Sequence, residues 1–121
     1  MKTRRQRIGR WGEDLAATHL AGRGWQILER NARTPYGEID LVARAADMLV
    51  FVEVKARTTD SFGLPEDSLT ALKQEHLRNA AEAYLTAHPE LEGNWRVDVV
   101  AIRGKPGSES VEVVCFEDVL D

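Results

Sequence analysis

Two short stretches carry residues whose types and spacing suit phosphodiester chemistry. The first is Gly37-Glu38-Ile39-Asp40-Leu41-Val42 and the second is Phe51-Val52-Glu53-Val54-Lys55-Ala56. Glu38 and Asp40 alternate with apolar residues, and so do Glu53 and Lys55, so in extended strands each pair falls on one face. Val50, Val52 and Val54 take the other face of the second stretch. Burying an unpaired carboxylate costs several kcal/mol, so acids inside such strands need a reason. A hairpin turning around residue 46 sets Asp40 against residues 52–53 and brings Asp40 close to Glu53. Neighbouring carboxylates repel unless something neutralises them. A divalent cation does so, and oxygen donors suit Mg²⁺ or Mn²⁺. The backbone carbonyl of Val54, between the two functional side chains, is a further candidate ligand. Such a cation lowers the pKa of an attacking water and stabilises charge developing on phosphorus. Lys55 is placed to contact that water or the phosphate. The alternative is a structural ion pair of Lys55 with Asp40 or Glu53. The apolar setting and the acidic strand beforehand favour the site.

These residues need elements to hold them. Residues 7–23 read as a helix, with Ile8, Trp11 and Leu15 on one strip and Ala16, Ala17 and Leu20 beside it. Strands follow over residues 25–30, 37–44 and 48–56, with a turn at Thr34-Pro35-Tyr36-Gly37. The third strand is apolar on both faces until its end, as a covered central strand reads. Residues 57–65 are a polar loop, and a second helix starts within residues 66–70 and runs to about residue 87. Leu69, Leu72, Leu77, Ala80, Ala81 and Tyr84 form its apolar face. Two more strands lie at residues 94–102 and 111–116. The expected fold is α/β: one domain over residues 1–121, a mixed five-stranded sheet flanked by helices in the order αβββαββ. Residues 1–6 are expected to be a basic, flexible tail.

Composition bounds the function classes. A chain of 121 residues holds one core. With 43% hydrophobic and 30% charged residues it reads as an ordinary globular chain. No apolar run suits a membrane span, and the basic start lacks the apolar segment of a secretory signal. Cytoplasmic residence is therefore expected. The lone Cys115 excludes an internal disulfide and a cysteine-built zinc site. The net charge of −4 hides a basic cluster, Lys2, Arg4, Arg5, Arg7 and Arg10. Nucleic-acid binders often carry such a patch on a neutral or acidic chain.

The two acidic stretches resemble the PD-(D/E)XK nuclease signature. With Gly9-Arg10-Trp11-Gly12-Glu13-Asp14-Leu15-Ala16, Arg30-Asn31 and Arg96-Val97-Asp98-Val99-Val100-Ala101-Ile102, the pattern closely resembles the YraN family of small bacterial proteins over residues 7–102. The resemblance implies a restriction-endonuclease-like fold, similar to archaeal Holliday junction resolvases. It implies that Asp40 and Glu53 are the two acidic metal ligands and Lys55 the catalytic lysine. It also implies that Glu13, on the first helix, reaches the metal or its water. Gln74 corresponds to glutamines that contact the site or substrate in some members of the fold. The proline of the motif's name is absent, and Ile39 precedes Asp40 as in many resolvase-like members. The implied activity is Mg²⁺- or Mn²⁺-dependent hydrolysis of DNA, with branched or structured DNA as the expected target. Junction-cutting relatives act as dimers, so a homodimer is expected, although no dimer surface is legible.

Other residues are expected to be structural. His19, His76 and His88 lack a shared metal spacing. Trp11, Trp25 and Trp95 read as core, although indoles also stack on bases. Cys115 reads as a small apolar strand residue. Asp98 is expected to pair with a basic residue such as Arg30. The loop after the site, with Arg57, Thr58, Thr59 and Ser61, is a candidate phosphate-contacting loop. Two rival readings stand beside the nuclease: a non-catalytic nucleic-acid-binding module of the same fold, and a small interaction protein with internal salt bridges.

Overall fold

The computed structural model describes residues 1–58, 69–91 and 93–120. Helix α1 (Arg4–Gly22) opens on a capping box: the Thr3 hydroxyl accepts the Gln6 N–H and the Gln6 side chain accepts the Thr3 N–H. These bonds satisfy two of the donors that a helix start leaves open. The helix therefore begins at Arg4 rather than at residue 7, and residues 4–6, expected in the tail, are helical. Gly12, Ala16 and Leu20, each four residues from the next, form the buried edge of α1. The small residues let the helix lie close on the sheet. A Cβ on Gly12 would sit 2.7 Å from the Cβ of Ala56.

Strands β1 (Gln26–Thr34), β2 (Gly37–Ala45) and β3 (Met48–Arg57) form an antiparallel meander. Helix α2 (Ala71–Ala87), capped by Thr70, then carries the chain over to β4 (Trp95–Arg103), which runs parallel to β3. Strand β5 (Glu112–Phe116) returns antiparallel to β4. The result is one mixed, open sheet in the order β1-β2-β3-β4-β5, matching the expected αβββαββ arrangement. Strand β1 extends to Thr34 rather than residue 30. The expected loop at residues 59–65 and helix start at residues 66–68 lie outside the described residues.

Alternation along β3 separates two cores. Leu49 and Phe51 pack with Val97 under Ala80, Ala81 and Tyr84 of α2. Val50 and Val52 pack with Leu41, Val100 and Ile102 under Ala16 and Leu20 of α1. The helices thus cover opposite faces, and the central strands are buried on both, as a parallel pair requires. Among the described residues no helix is long and apolar enough to cross a membrane.

The polar pairs differ from one expectation. Asp98, 2% exposed, is held by Arg96 through two hydrogen bonds and by the Asp118 N–H. Arg30 instead bonds Asp14 at 2.6 Å. Arg96 and Asp98 are two apart on β4, so they share a face and meet without a long-range contact. The indoles pack partly buried against the two cores, and Trp25 lies under the Arg23 and Arg96 guanidinium groups. Cys115 packs on the α1-side core, and burial raises its thiol pKa.

Candidate functional site

The site forms where the β2–β3 hairpin opens. Its pairs run from Ala45↔Met48 to Leu41↔Val52 and stop there. One more step would set Asp40 opposite Glu53. Instead the Asp40 carboxylate accepts the Val54 N–H at 2.8 Å, so a side chain takes over from the backbone ladder. On the other flank, β1 pairs through Arg30↔Leu41 and Ala32↔Ile39. Asn31, between these pairs and across from Asp40, is left-handed with φ 53°. Asparagine tolerates that conformation better than most residues. Ile39 and Val42 both pack toward α2 although an odd spacing separates them. Strand alternation therefore breaks around Asp40, and Glu38 stays exposed while Asp40 is half-buried.

Burial dominates the state of Asp40. Its pKa rises from 3.8 to about 6, with desolvation the largest cause and the Val54 bond acting against it. The Glu13 and Glu53 charges contribute to the rise, and Lys73 offsets part of it. Glu53 binds Lys73 through one oxygen, with Nζ at 2.9 Å from Oε1. Its other oxygen, Oε2, is buried without a hydrogen-bond partner. Buried polar atoms of this kind are rare and call for an explanation. Glu13 points from α1 toward the sheet, and its Oε1 accepts the Asn31 side-chain amide at 3.0 Å, with Arg30 at 4.0 Å.

Asp40 separates two spaces. On the α1 side lies a cleft of about 690 Å³, walled by Glu13, Asp40, Val54, Lys55, Arg57 and the arginines Arg4 and Arg5 of the first turn of α1. On the α2 side Asp40 and Glu53 share a space of about 10 Å³ with Phe51, Leu77 and Val97. That is the scale of a single water molecule. The structure thus places Asp40, Glu13, Lys55 and Arg57 on one cleft and joins Glu53 to it through Asp40. Gln74 does not line either space; its amide donates to the Leu69 carbonyl at the start of α2. Among the described residues no three His, Cys, Asp or Glu groups meet closely enough to hold a metal. Mg²⁺ needs fewer, because it takes one or two carboxylates and keeps several waters. A crowded, desolvated Asp40 and an unpartnered Glu53 oxygen fit such an ion.

The model of the Uncharacterised protein family UPF0102 matches residues 12–102. The chain belongs to this family. A UPF0102 protein of Syntrophotalea carbinolica is 45% identical over 112 residues, which cover 93% of this chain and 91% of that protein. One from Clavibacter michiganensis subsp. michiganensis is 46% identical over 113 residues, covering 93% and 96%. Among solved structures, that of Pyrococcus furiosus SfsA in complex with Ca²⁺ aligns at a TM-score of 0.41 and 14% identity. The alignment covers 96% of this chain but spans only 64% of that one.

The stretch shared with the UPF0102 family contains Glu13, Asp40, Glu53 and Lys55 and leaves out Arg4 and Arg5. Four residues of the site were not assigned to it from the sequence. Lys73 meets Glu53 only because α2 docks where it does, and no local pattern announces that. Asn31 follows Arg30 in the sequence, but its left-handed backbone is a tertiary feature. Arg4 and Arg5 read as tail, although Thr3 and Gln6 carried the spacing of a capping box.

Proposed function

We propose that this UPF0102 chain is a divalent-metal-dependent nuclease that hydrolyses phosphodiester bonds in DNA, with branched or structured DNA as its target. The observation that carries this reading is the open end of the β2–β3 hairpin. There Asp40 is crowded by carboxylates and Glu53 keeps a buried oxygen without a partner, beside a cleft with cationic walls.

Asp40, Glu53 and the Val54 carbonyl would hold Mg²⁺ or Mn²⁺. When bound, that ion supplies Lewis acidity toward water and the phosphate oxygens. The chain's own groups do the rest. The Val54 N–H fixes the Asp40 carboxylate at 2.8 Å. Lys55 presents an ammonium to the cleft, where it orients a phosphate or the attacking water. Glu13, held by Asn31, offers a carboxylate oxygen to that water from the opposite wall. Arg57, Arg4 and Arg5 draw in the phosphate backbone. A direct contact by Gln74 has less support, because its amide is engaged at the start of α2. The homodimer expected from the resolvase resemblance belongs to this reading for branched substrates.

One observation favours a second reading, the non-catalytic nucleic-acid-binding module. Lys73 already neutralises one oxygen of Glu53. Cleavage of labelled single-stranded, duplex and four-way-junction DNA with Mg²⁺ or Mn²⁺ separates the two. The nuclease reading expects cutting that needs metal and disappears in Asp40→Ala and Glu53→Ala. Metal-independent binding with no cutting of any substrate, or variants that cut as well as the natural chain, would overturn it.

A further inference from the structure

Strands β3 and β4 are the parallel pair of the sheet, and they end side by side. Arg57 is in register with Arg103 at their carboxyl ends. Adjacent strands lie about 4.8 Å apart, and like charges directly across a ladder are unfavourable. Arg103 is offset by Glu112 on β5. Arg57 is exposed, and its guanidinium donates to the carbonyl of its own neighbour, Ala56. Lys105 follows in the β4–β5 connection, also exposed. Cations therefore accumulate at the end of a sheet where ligands of open α/β folds bind, outside the carboxyl ends of the strands.

The connection is built, not slack. Gly104 donates its N–H to the Arg57 carbonyl at 3.0 Å, tying the turn to the strand that carries Lys55. Its φ of +146° suits glycine, and a Cβ there would lie 3.1 Å from the Ser110 carbonyl oxygen. Ser108 accepts the Ser110 N–H, and the Ser108 N–H returns to the Lys105 carbonyl. The turn walls a second cleft of about 680 Å³ with Arg103 and its partner Glu112, Lys105, Ser108 and Ser110 on its surface. Thr58 lines both this cleft and the one at Asp40. The two are neighbours along one side of the molecule.

We propose that the β4–β5 turn is a second phosphate-binding element. Through Lys105, Arg103 and the serine groups it holds backbone phosphates next to those in the Asp40 cleft. This rests on the reading of the chain as a nucleic-acid enzyme, and it extends the substrate track beyond the stretch matched by the family, which ends at residue 102.

The test is the salt dependence of binding to a fluorescein-labelled 20-base-pair duplex without divalent metal, read by anisotropy. Lys105→Ala and Lys105→Ala/Arg103→Gln are compared with the natural chain. Each lost contact should lower the slope of log affinity against log salt by roughly 0.9. The natural chain's advantage should then shrink about 3.5-fold per contact between about 50 and 200 mM salt. Lys105→Arg keeps the charge and should restore the slope. Arg33→Gln, on β1 three strands from β4, removes equal charge elsewhere and should leave it unchanged. Unchanged slopes in the Lys105 variants, or an equal fall in Arg33→Gln, would overturn the proposal. Hydrolysis of bis(4-nitrophenyl) phosphate by the natural chain with Mn²⁺ tests the cleavage reading separately. Reduced slopes without that hydrolysis support the turn and count against cleavage; hydrolysis with unchanged slopes does the reverse.

Discussion

Replacing Asp40 by asparagine should stabilise the metal-free protein. The side chain keeps its size and an oxygen for the Val54 N–H, but loses a charge that burial and two neighbouring acids oppose. A rise in pKa from 3.8 to about 6 corresponds to about 3 kcal/mol at about 1.4 kcal/mol per pH unit. Partial solvent access reduces this, so about 1.5–3 kcal/mol is the working range. The sign follows from linkage. The folded protein holds the Asp40 proton more tightly than the unfolded chain does, so stability falls as pH rises from about 4 to about 6, then levels. The asparagine variant lacks that fall. Urea unfolding in EDTA at pH 4 and pH 7.5 measures the gap, and other titrating groups cancel between the two proteins. The variant should match the natural chain within about 0.6 kcal/mol at pH 4 and exceed it at pH 7.5, a midpoint increase of about 1 M urea or more. Mn²⁺ should then close the gap, because it stabilises only the protein that binds it. An asparagine variant no more stable at pH 7.5, or a gap equal at both pH values, would refute the claim that desolvation strains this carboxylate.

Three other substitutions probe the frame around the site. Gly12→Ala forces a Cβ against Ala56 at 2.7 Å; moving α1 off β3 should cost about 1–3 kcal/mol in urea unfolding. Lys73→Met removes the cation that shares Glu53, so Mn²⁺ should bind more tightly by calorimetry, by about tenfold if about 1.4 kcal/mol of competition is lifted. Asp98→Ala should be the most damaging, at about 3–5 kcal/mol, because it strands Arg96 and the Asp118 N–H; a thermal melt within a few degrees of the natural chain would contradict that.

Much of the frame was legible because it is periodic. The apolar run of β3 announced a covered strand, and the two acidic stretches either side of residue 46 announced a hairpin whose register the structure reproduces. Glu13, expected near the site from the family resemblance, lines the cleft from α1. What escaped depends on chain segments far apart or on departures from regularity. Lys73 reaches Glu53 across a helix–sheet interface, and Asn31 breaks its strand. Asp98 pairs with a basic residue as expected, but the partner is Arg96, two residues away on the same face, and not the distant Arg30 given as the example. Residues two apart on one strand face meet without any tertiary contact, so the nearest partner of a strand acid is often on its own strand.

The chain also contains its own control for the alternative in which these acids only form salt bridges. Asp98 is the more deeply buried carboxylate, at 2% exposure; burial raises its pKa too, but hydrogen bonds meet both its oxygens. Arg96 supplies two bonds, the Asp118 backbone a third, and the residues lie in regular strand. Asp40 and Glu53 sit where regular pairing stops. Asp40 has the Val54 N–H but like charges on two sides. Glu53 leaves an oxygen buried and unpaired. The same sheet thus gives one acid hydrogen bonds to both oxygens and leaves two others less well served, Asp40 on the cation-walled cleft and Glu53 on the small space behind it. Departures from local consistency of this kind concentrate at functional sites. A pair kept only for stability would resemble Asp98, whose oxygens are met by Arg96 and the Asp118 N–H, and Glu53 does not.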